Sequence, residues 1–261
     1  MKISITLGQF KIAFADPASN MKVATQLLQS SIQSKQNHLL LLPELWTTGY
    51  DLRYAAHYTQ PNQEIQDRIQ EICAHSNQWM GGSMLFNQNN QIFNTFHLLG
   101  PFGTEYYSKI HLFDLMEERK FLAAGSHPQL VNPPWGKTGL AICYDLRFPE
   151  LFRAYTKAGA HLILISAEWP AARIHHWRTL LQARAIENQV FIAAVNTVGN
   201  IGSDLFGGCS MVVSPMGEIL IEASATQEEF LTVEIDLEFV EQTRQRFPFL
   251  QDIRSDCCTL D

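Results

Sequence analysis

A cysteine, a glutamate and a lysine stand in this chain in settings where each could do chemistry. Cys143 ends the apolar run that starts at Gly139 and is followed at once by Tyr144, Asp145 and Arg147. Phe148, Pro149 and Glu150 then open a helix: Pro149 suits a first helical position, and Glu150 complements the positive end of the helix dipole. The thiol is therefore expected on a strand-to-helix turn, presented rather than packed away. Backbone N–H groups just beyond it could hold an oxyanion. A free cysteine most often packs as a small hydrophobe, so the case for a nucleophile rests on its companions.

The first companion is Glu44. Leu39 to Leu42 read as a short buried strand, and Pro43 ends it because proline cannot donate to a sheet ladder. Glu44 is thus expected at the carboxyl end of a strand, where α/β sheets bind ligands. The aromatic, glycine-containing stretch from Trp46 to Tyr50 would wall a pocket there. The second companion is Lys109, with Tyr106 and Tyr107 before it and Ile110, Leu112 and Phe113 behind. A lysine in apolar surroundings must have a carboxylate or an oxyanion for company.

Glu44, Lys109 and Cys143, in that order and each in such a setting, resemble the nitrilase (carbon–nitrogen hydrolase) superfamily. The blocks Pro43 to Trp46, Tyr107 to Leu112 and Cys143 to Glu150 match its three motifs. Ala183 to Gln189, Gly207 to Ser210 and Ser214 to Glu218 agree further, with Met216 where many members have tryptophan. The resemblance runs from the Ile3 strand to about Phe247. It implies a single α/β domain over residues 1–261, built as a four-layer α-β-β-α sandwich. It also implies Cys143 as nucleophile, Glu44 as general base, and Lys109 with the Tyr144 N–H at the oxyanion. A thioester intermediate follows, and no cofactor. The family carries a second active-site glutamate ahead of a leucine-to-glycine stretch. Counting back from Gly125 selects Glu118, with Glu117 as the alternative.

Within the superfamily, Pro43 to Tyr50, the Cys143 block and Ala167 to Arg173 look most like the omega-amidase branch. Its members hydrolyse the terminal amide of 2-oxo dicarboxylic acid monoamides such as 2-oxoglutaramate. An N-carbamoyl amide hydrolase, a deaminated glutathione amidase and a non-catalytic oligomeric scaffold are the alternatives. An omega-amidase must bind a carboxylate at the far end of its substrate, and arginine's two-pronged donor geometry suits that group. Arg173 is the candidate, because it follows the strand His161 to Ser166. Glu168, Trp169 and Tyr50 are expected around the same pocket. Asp145, Arg147 and Glu150 are expected to pin the turn through ion pairs.

Other chemistries fit poorly. A phosphate loop at Gly136-Lys137-Thr138 would need glycine where Val131 stands. His175 and His176 are adjacent, so on a helix their side chains diverge by about 100° and suit one metal poorly. With no H-E-x-x-H and no paired CxxC, no metal site is expected. No G-x-S-x-G elbow marks a serine hydrolase. The formal charge of −7, with no basic cluster, argues against nucleic acid and anionic membrane as partners. No apolar run approaches the ~18 residues that span a bilayer. Five cysteines, an odd number, argue against a disulfide framework, and Cys257-Cys258 reads as a pair of reduced thiols. With no secretory apolar block at the N-terminus, the chain reads as cytoplasmic.

These residues need elements to position them, and strands and helices alternate along the chain. Helices are expected over Ala18–Ser34, Gln63–His75 and Ile174–Glu187. Strands are expected over Met80–Leu85, Asn94–Leu99, Glu105–Tyr107, His161–Ser166 and Gln189–Val195, with a hairpin turn at Gln88–Asn90. A late hairpin, Cys209–Val213 with Glu218–Ile221, turns around Pro215–Gly217. Gly199–Gly202 and Gly207-Gly208 read as turns. The resemblance further implies a homodimer, paired through Pro149–Lys157 and the tail around Phe247–Phe249.

Overall fold

The computed structural model describes residues 1–30, 37–202 and 204–254. Its first half forms β1 (Lys2–Gln9), α1 (Pro17–Ser30), β2 (His38–Leu41), α2 (Ala55–Ser76), β3 (Trp79–Gln88), β4 (Gln91–Gly100), β5 (Gly103–Ser108) and the single turn α3 (Glu118–Phe121). The second half begins with β6 (Leu130–Val131), β7 (Thr138–Ile142), α4 (Pro149–Lys157), β8 (Leu162–Ser166), α5 (Ile174–Asn188) and β9 (Phe191–Val195). It continues through β10 (Val198–Ile201), β11 (Asp204–Gly207), β12 (Met211–Val213), β13 (Ile219–Glu222), β14 (Glu229–Asp236) and α6 (Glu238–Arg246).

Two six-stranded sheets result, in the orders β14-β1-β2-β3-β4-β5 and β13-β12-β9-β8-β7-β6. Each has a parallel centre, β1-β2-β3 in one and β7-β8-β9 in the other, flanked by antiparallel strands. The period of a strand explains the layering. Leu39 and Leu41 join the core between the sheets, with Phe96, Leu98, Leu140, Ile142 and Leu164. Leu40 and Leu42 join a second core, with Met21, Leu28 and Ile69 of the covering helices α1 and α2. Trp177, Leu181 and Ala185 of α5 close the other side. The order is α-β-β-α, four layers, as the family resemblance implies.

Several element bounds differ from expectation. The helix expected over Ala18–Ser34 is α1, capped by Asp16, whose Oδ1 accepts the Ser19 N–H; residues 31–34 lie outside the described residues. Helix α2 starts at Ala55, earlier than Gln63, and carries Pro61 inside it. The proline leaves the His57 carbonyl without its helical donor, but His57 is exposed, so solvent can replace the bond. Gln189 belongs to no strand: it is the left-handed cap of α5, at φ +48°. Cys209, at φ +54°, likewise precedes its strand. Gly199 and Gly207 lie in β10 and β11 and not in turns; these strands form a hairpin of their own. Gly207 N–H donates to the Trp169 carbonyl, and a Cβ there would sit 2.9 Å from the Ala171 Cα. The glycine allows the hairpin to close against the segment after β8. The expected turn between β3 and β4 is present, with Asn89 and Asn90 both at positive φ, as a two-residue hairpin requires.

The topology brings strand ends together. Glu44 lies just beyond β2, Lys109 directly follows β5, Cys143 directly follows β7, and Glu168 lies just beyond β8.

Candidate active site

Cys143 begins a 3-10 turn, Cys143–Arg147, between β7 and α4. Its φ of +43° is left-handed, a conformation that costs a non-glycine residue about 1–2 kcal/mol. Asp145 holds the turn in that shape. Its Oδ2 accepts from the Ile142 N–H at 3.0 Å and the Tyr107 hydroxyl at 2.7 Å, and its Oδ1 accepts from the His111 N–H at 3.1 Å. His111 Nδ1 lies 2.7 Å from the same oxygen. The expected pinning thus belongs to Asp145 and runs mostly through hydrogen bonds. Glu150 is exposed, and Arg147 turns away to lie over the Trp169 ring. The Tyr144 N–H sits in the first turn of the 3-10 helix, where no carbonyl of that helix can accept it.

Beside Cys143 lies a buried cluster of charge. Lys109 Nζ donates to Glu44 Oε1 at 2.7 Å and to Glu118 Oε1 at 2.6 Å, with all three side chains fully buried. Burial alone would lower the lysine's pKa, but the Glu118 and Glu44 carboxylates outweigh it and hold the ammonium charged. Burial pushes the Glu118 carboxyl up, with Lys109 opposing. Glu118 also accepts the Tyr50 hydroxyl at 2.9 Å and the Phe113 N–H at 2.6 Å. Glu117 is exposed and pairs with Lys120, so Glu118 is the glutamate at the site. Glu44 accepts, besides Lys109, Asn94 Nδ2 at 2.8 Å and the Glu168 N–H at 3.0 Å. Breaking one partner of such a buried set typically costs about 3–5 kcal/mol. The Cys143 thiol, 3.8 Å from the Glu168 carbonyl, is pushed well above its ordinary pKa by burial and then by the charge of Glu44. It rests protonated and needs a base to act.

The backbone of Lys109 is fixed by its neighbours. Its N–H donates to the Asn94 carbonyl at 2.9 Å, and its carbonyl accepts the Gly125 N–H at 2.8 Å. A Cβ on Gly125 would lie 2.0 Å from the Ser108 carbonyl oxygen, so only glycine fits. Nothing in the local sequence marks Asn94 as a site residue. It is a buried polar residue inside a strand, and only its position opposite Glu44 in space gives it meaning.

Above the thiol a narrow cavity is lined by Phe113, Tyr144, Trp169, Pro170 and the two arginines Arg147 and Arg173. Arg147 lies 4.7 Å over the Trp169 ring and Arg173 5.6 Å over the Phe113 ring. Among the described residues neither guanidinium pairs with a carboxylate. Trp169 is held by Asn196, whose Oδ1 accepts its N–H at 2.6 Å, and its indole N–H donates to the Arg173 carbonyl at 2.8 Å. Glu168 lines the same cavity, buried, with both carboxyl oxygens unpartnered. The sequence-predicted residues Glu44, Tyr50, Lys109, Glu118, Cys143, Tyr144, Glu168, Trp169 and Arg173 therefore meet at one place. Arg147, Asn94, Asn196 and Phe113 are additions that the structure supplies. Among the described residues no group of three or more His, Cys, Asp or Glu side chains is arranged to hold a metal ion.

The carbon-nitrogen hydrolase family profile matches residues 4–245, and the chain belongs to that family. It is 38% identical to a 2-oxoglutaramate amidase of Bacillus subtilis over 260 residues, covering 98% of this chain and 99% of the relative. An omega-amidase of Yersinia enterocolitica is 34% identical, with 96% of each chain covered. A CN-hydrolase superfamily protein of Xanthomonas campestris, solved with an arsenic adduct in its active site, superposes with a TM-score of 0.90. It is 31% identical, and the match covers 100% of both chains.

Proposed function

We propose that this carbon–nitrogen hydrolase is a cysteine-dependent amidase that cleaves the terminal carboxamide of small 2-oxo acid monoamides, with 2-oxoglutaramate as the fitting substrate. The observation that carries the substrate choice is the pair of guanidiniums, Arg147 and Arg173, without carboxylate partners in the cavity over Cys143. Such a cavity attracts a short molecule with an anion at one end. The relatives named 2-oxoglutaramate amidase and omega-amidase agree with that class.

The chemistry follows from the cluster. Glu44 takes the thiol proton as Cys143 Sγ attacks the amide carbon. The oxygen that becomes negative is stabilised by Lys109 and the Tyr144 N–H, a contribution typically worth about 10²–10³ in turnover per donor. Glu44 returns the proton to the amide nitrogen, the C–N bond breaks, and ammonia leaves a thioester on Cys143. Glu44 then takes a proton from water, whose hydroxide attacks the thioester carbon; the C–S bond breaks, the acid is released, and Glu44 returns the proton to the Cys143 sulfur. Glu118 keeps Lys109 charged and in place throughout, and Tyr50 supports Glu118. No cofactor enters these steps.

The enzyme works in this reading as a cytoplasmic homodimer. Cys73, Cys143 and Cys209 are all free thiols, which suits a reducing compartment. Phe239, Phe247 and Phe249 are exposed in α6 and the segment after it, and Phe239 and Phe247 line one groove, which suits a covered face. No helix among the described residues is long and apolar enough to cross a membrane.

The test is ammonia release from 2-oxoglutaramate, with and without a thiol alkylator, beside an N-carbamoyl amide and deaminated glutathione. Alkylator-sensitive turnover that favours 2-oxoglutaramate supports the reading. Preference for either competitor, or turnover that survives alkylation of Cys143, contradicts it.

A further inference from the structure

One group near the reacting centre has no task in the steps above. Glu168 is almost wholly buried, at 1% exposure, yet neither carboxyl oxygen has a hydrogen-bond partner. Its main chain is fully used: the N–H is given to Glu44 Oε2 and the carbonyl lies against Cys143 Sγ. Its residue lines the cavity shared with Arg147 and Arg173, and it pairs with neither arginine. An unpaired buried carboxyl costs a fold stability, so a ligand is the natural partner for it.

The rest of the site says which part of a ligand. If a 2-oxo acid monoamide lies between Cys143 and the arginines, as the proposed function holds, its amide is served by Glu44 and Lys109 and its carboxylate by Arg147 and Arg173. What is left for Glu168 is the middle of the molecule, where the polar group is the 2-oxo carbonyl. We propose that Glu168 is a specificity-determining residue whose carboxyl O–H donates a hydrogen bond to the substrate's 2-oxo oxygen. Burial, then the negative charges of Glu44, Asp204 and Glu118, push this carboxyl far above the ordinary range against the opposing charge of Lys109. It therefore carries the proton that such a bond requires. An ionised carboxylate there would repel the carbonyl oxygen and the nearby carboxylate together.

The inference rests on the amidase reading, and the test separates the two. It compares kcat/KM for 2-oxoglutaramate and for glutaramate, which has CH2 in place of the 2-oxo group, in the wild type, Glu168→Gln and Glu168→Met. The wild type should prefer the 2-oxo substrate by roughly tenfold or more, the scale of one buried hydrogen bond. Glu168→Met should bring that ratio toward one, and Glu168→Gln, which keeps an N–H donor, should restore most of it. Both variants should fold, since no protein partner loses a bond, and a melting curve checks this. A Met variant with the wild-type ratio would overturn the inference. So would an equal loss on both substrates, which would assign Glu168 to the amide or to packing. A wild type that cleaves both substrates equally well would also overturn it and leave the amidase reading standing. Cleavage of neither substrate by the wild type would overturn both.

Discussion

Lys109 is the residue through which the site is organised, because its ammonium is the bond between two carboxylates that would otherwise repel. Glu44→Gln and Lys109→Ala should each reduce kcat by at least about 10², as expected of groups that act mainly in the transition state. Lys109→Arg should restore little, because a planar guanidinium cannot replace a point charge held 2.7 Å and 2.6 Å from two buried carboxylates. Near wild-type turnover in either of the first two variants would remove that residue from its role. Glu168 makes a second prediction by linkage. Its folded pKa is raised well above the ordinary 4.5, so its contribution to stability is fully present below that pH and is lost as pH rises. Glu168→Met lacks this loss. Its melting temperature relative to wild type should therefore rise between pH 4.5 and pH 8, and thermal melts across that range measure it. A constant or shrinking difference would mean that Glu168 is ionised in the fold. Cys143, Glu44 and Lys109 stand out in the sequence because each sits in a contrasting local context, and the family resemblance supplies the roles expected of them. Glu118 needed the family pattern, since Glu117 beside it is the same residue type. Arg147 reads from the sequence as a turn residue, because nothing along the chain shows that it lies over Trp169.

At the level of elements, three devices hold the reacting groups still: the left-handed Cys143 turn, the Asp145 hydrogen bonds behind it, and the close passage of Gly125 over Ser108. The last makes a clean prediction. Gly125→Ala places a methyl 2.0 Å from a backbone oxygen, so the two segments must part and carry Lys109 with them. A loss of about 1–3 kcal/mol in stability is expected by the usual cost of overpacking, with a disproportionate fall in kcat. Urea unfolding and steady-state kinetics together would show it, and a variant with unchanged kcat would mean that Lys109 is positioned otherwise. The apolar pattern located most of the elements, because short uninterrupted runs such as Leu39–Leu42 and the other β-rich runs are local signals. It failed at α2, where proline is tolerated on an exposed turn, and at β10 and β11. There, Gly207, which looks like a turn residue, is needed for the close approach of β11 to Ala171, and Gly199 takes a left-handed φ of +79° inside β10. Such distant packing leaves no trace in the local pattern.

For the molecule as a whole, the two sheets are a device for bringing the ends of β2, β5, β7 and β8 to one point, which no single short segment could do. The four-layer arrangement itself came from family resemblance, since alternation tells which faces are buried but not against what. The exposed Phe247 and Phe249, at 39% and 45% exposure, lie in the segment expected to pair. Phe247→Asp should shift a dimer to monomer in sedimentation velocity at micromolar concentration; a wild type that sediments only as monomer would contradict the assembly. The proposed reaction turns on transfer of the amide's acyl group to one thiol. The direct measurement is to mix enzyme with 2-oxoglutaramate, quench in acid during turnover and map the protein by mass spectrometry. The expected result is a 2-oxoglutaryl group on the peptide carrying Cys143, on no other cysteine, and absent from Cys143→Ala, which should release no ammonia while remaining folded. Ammonia release by Cys143→Ala, or turnover with the acyl group on another residue, would contradict it.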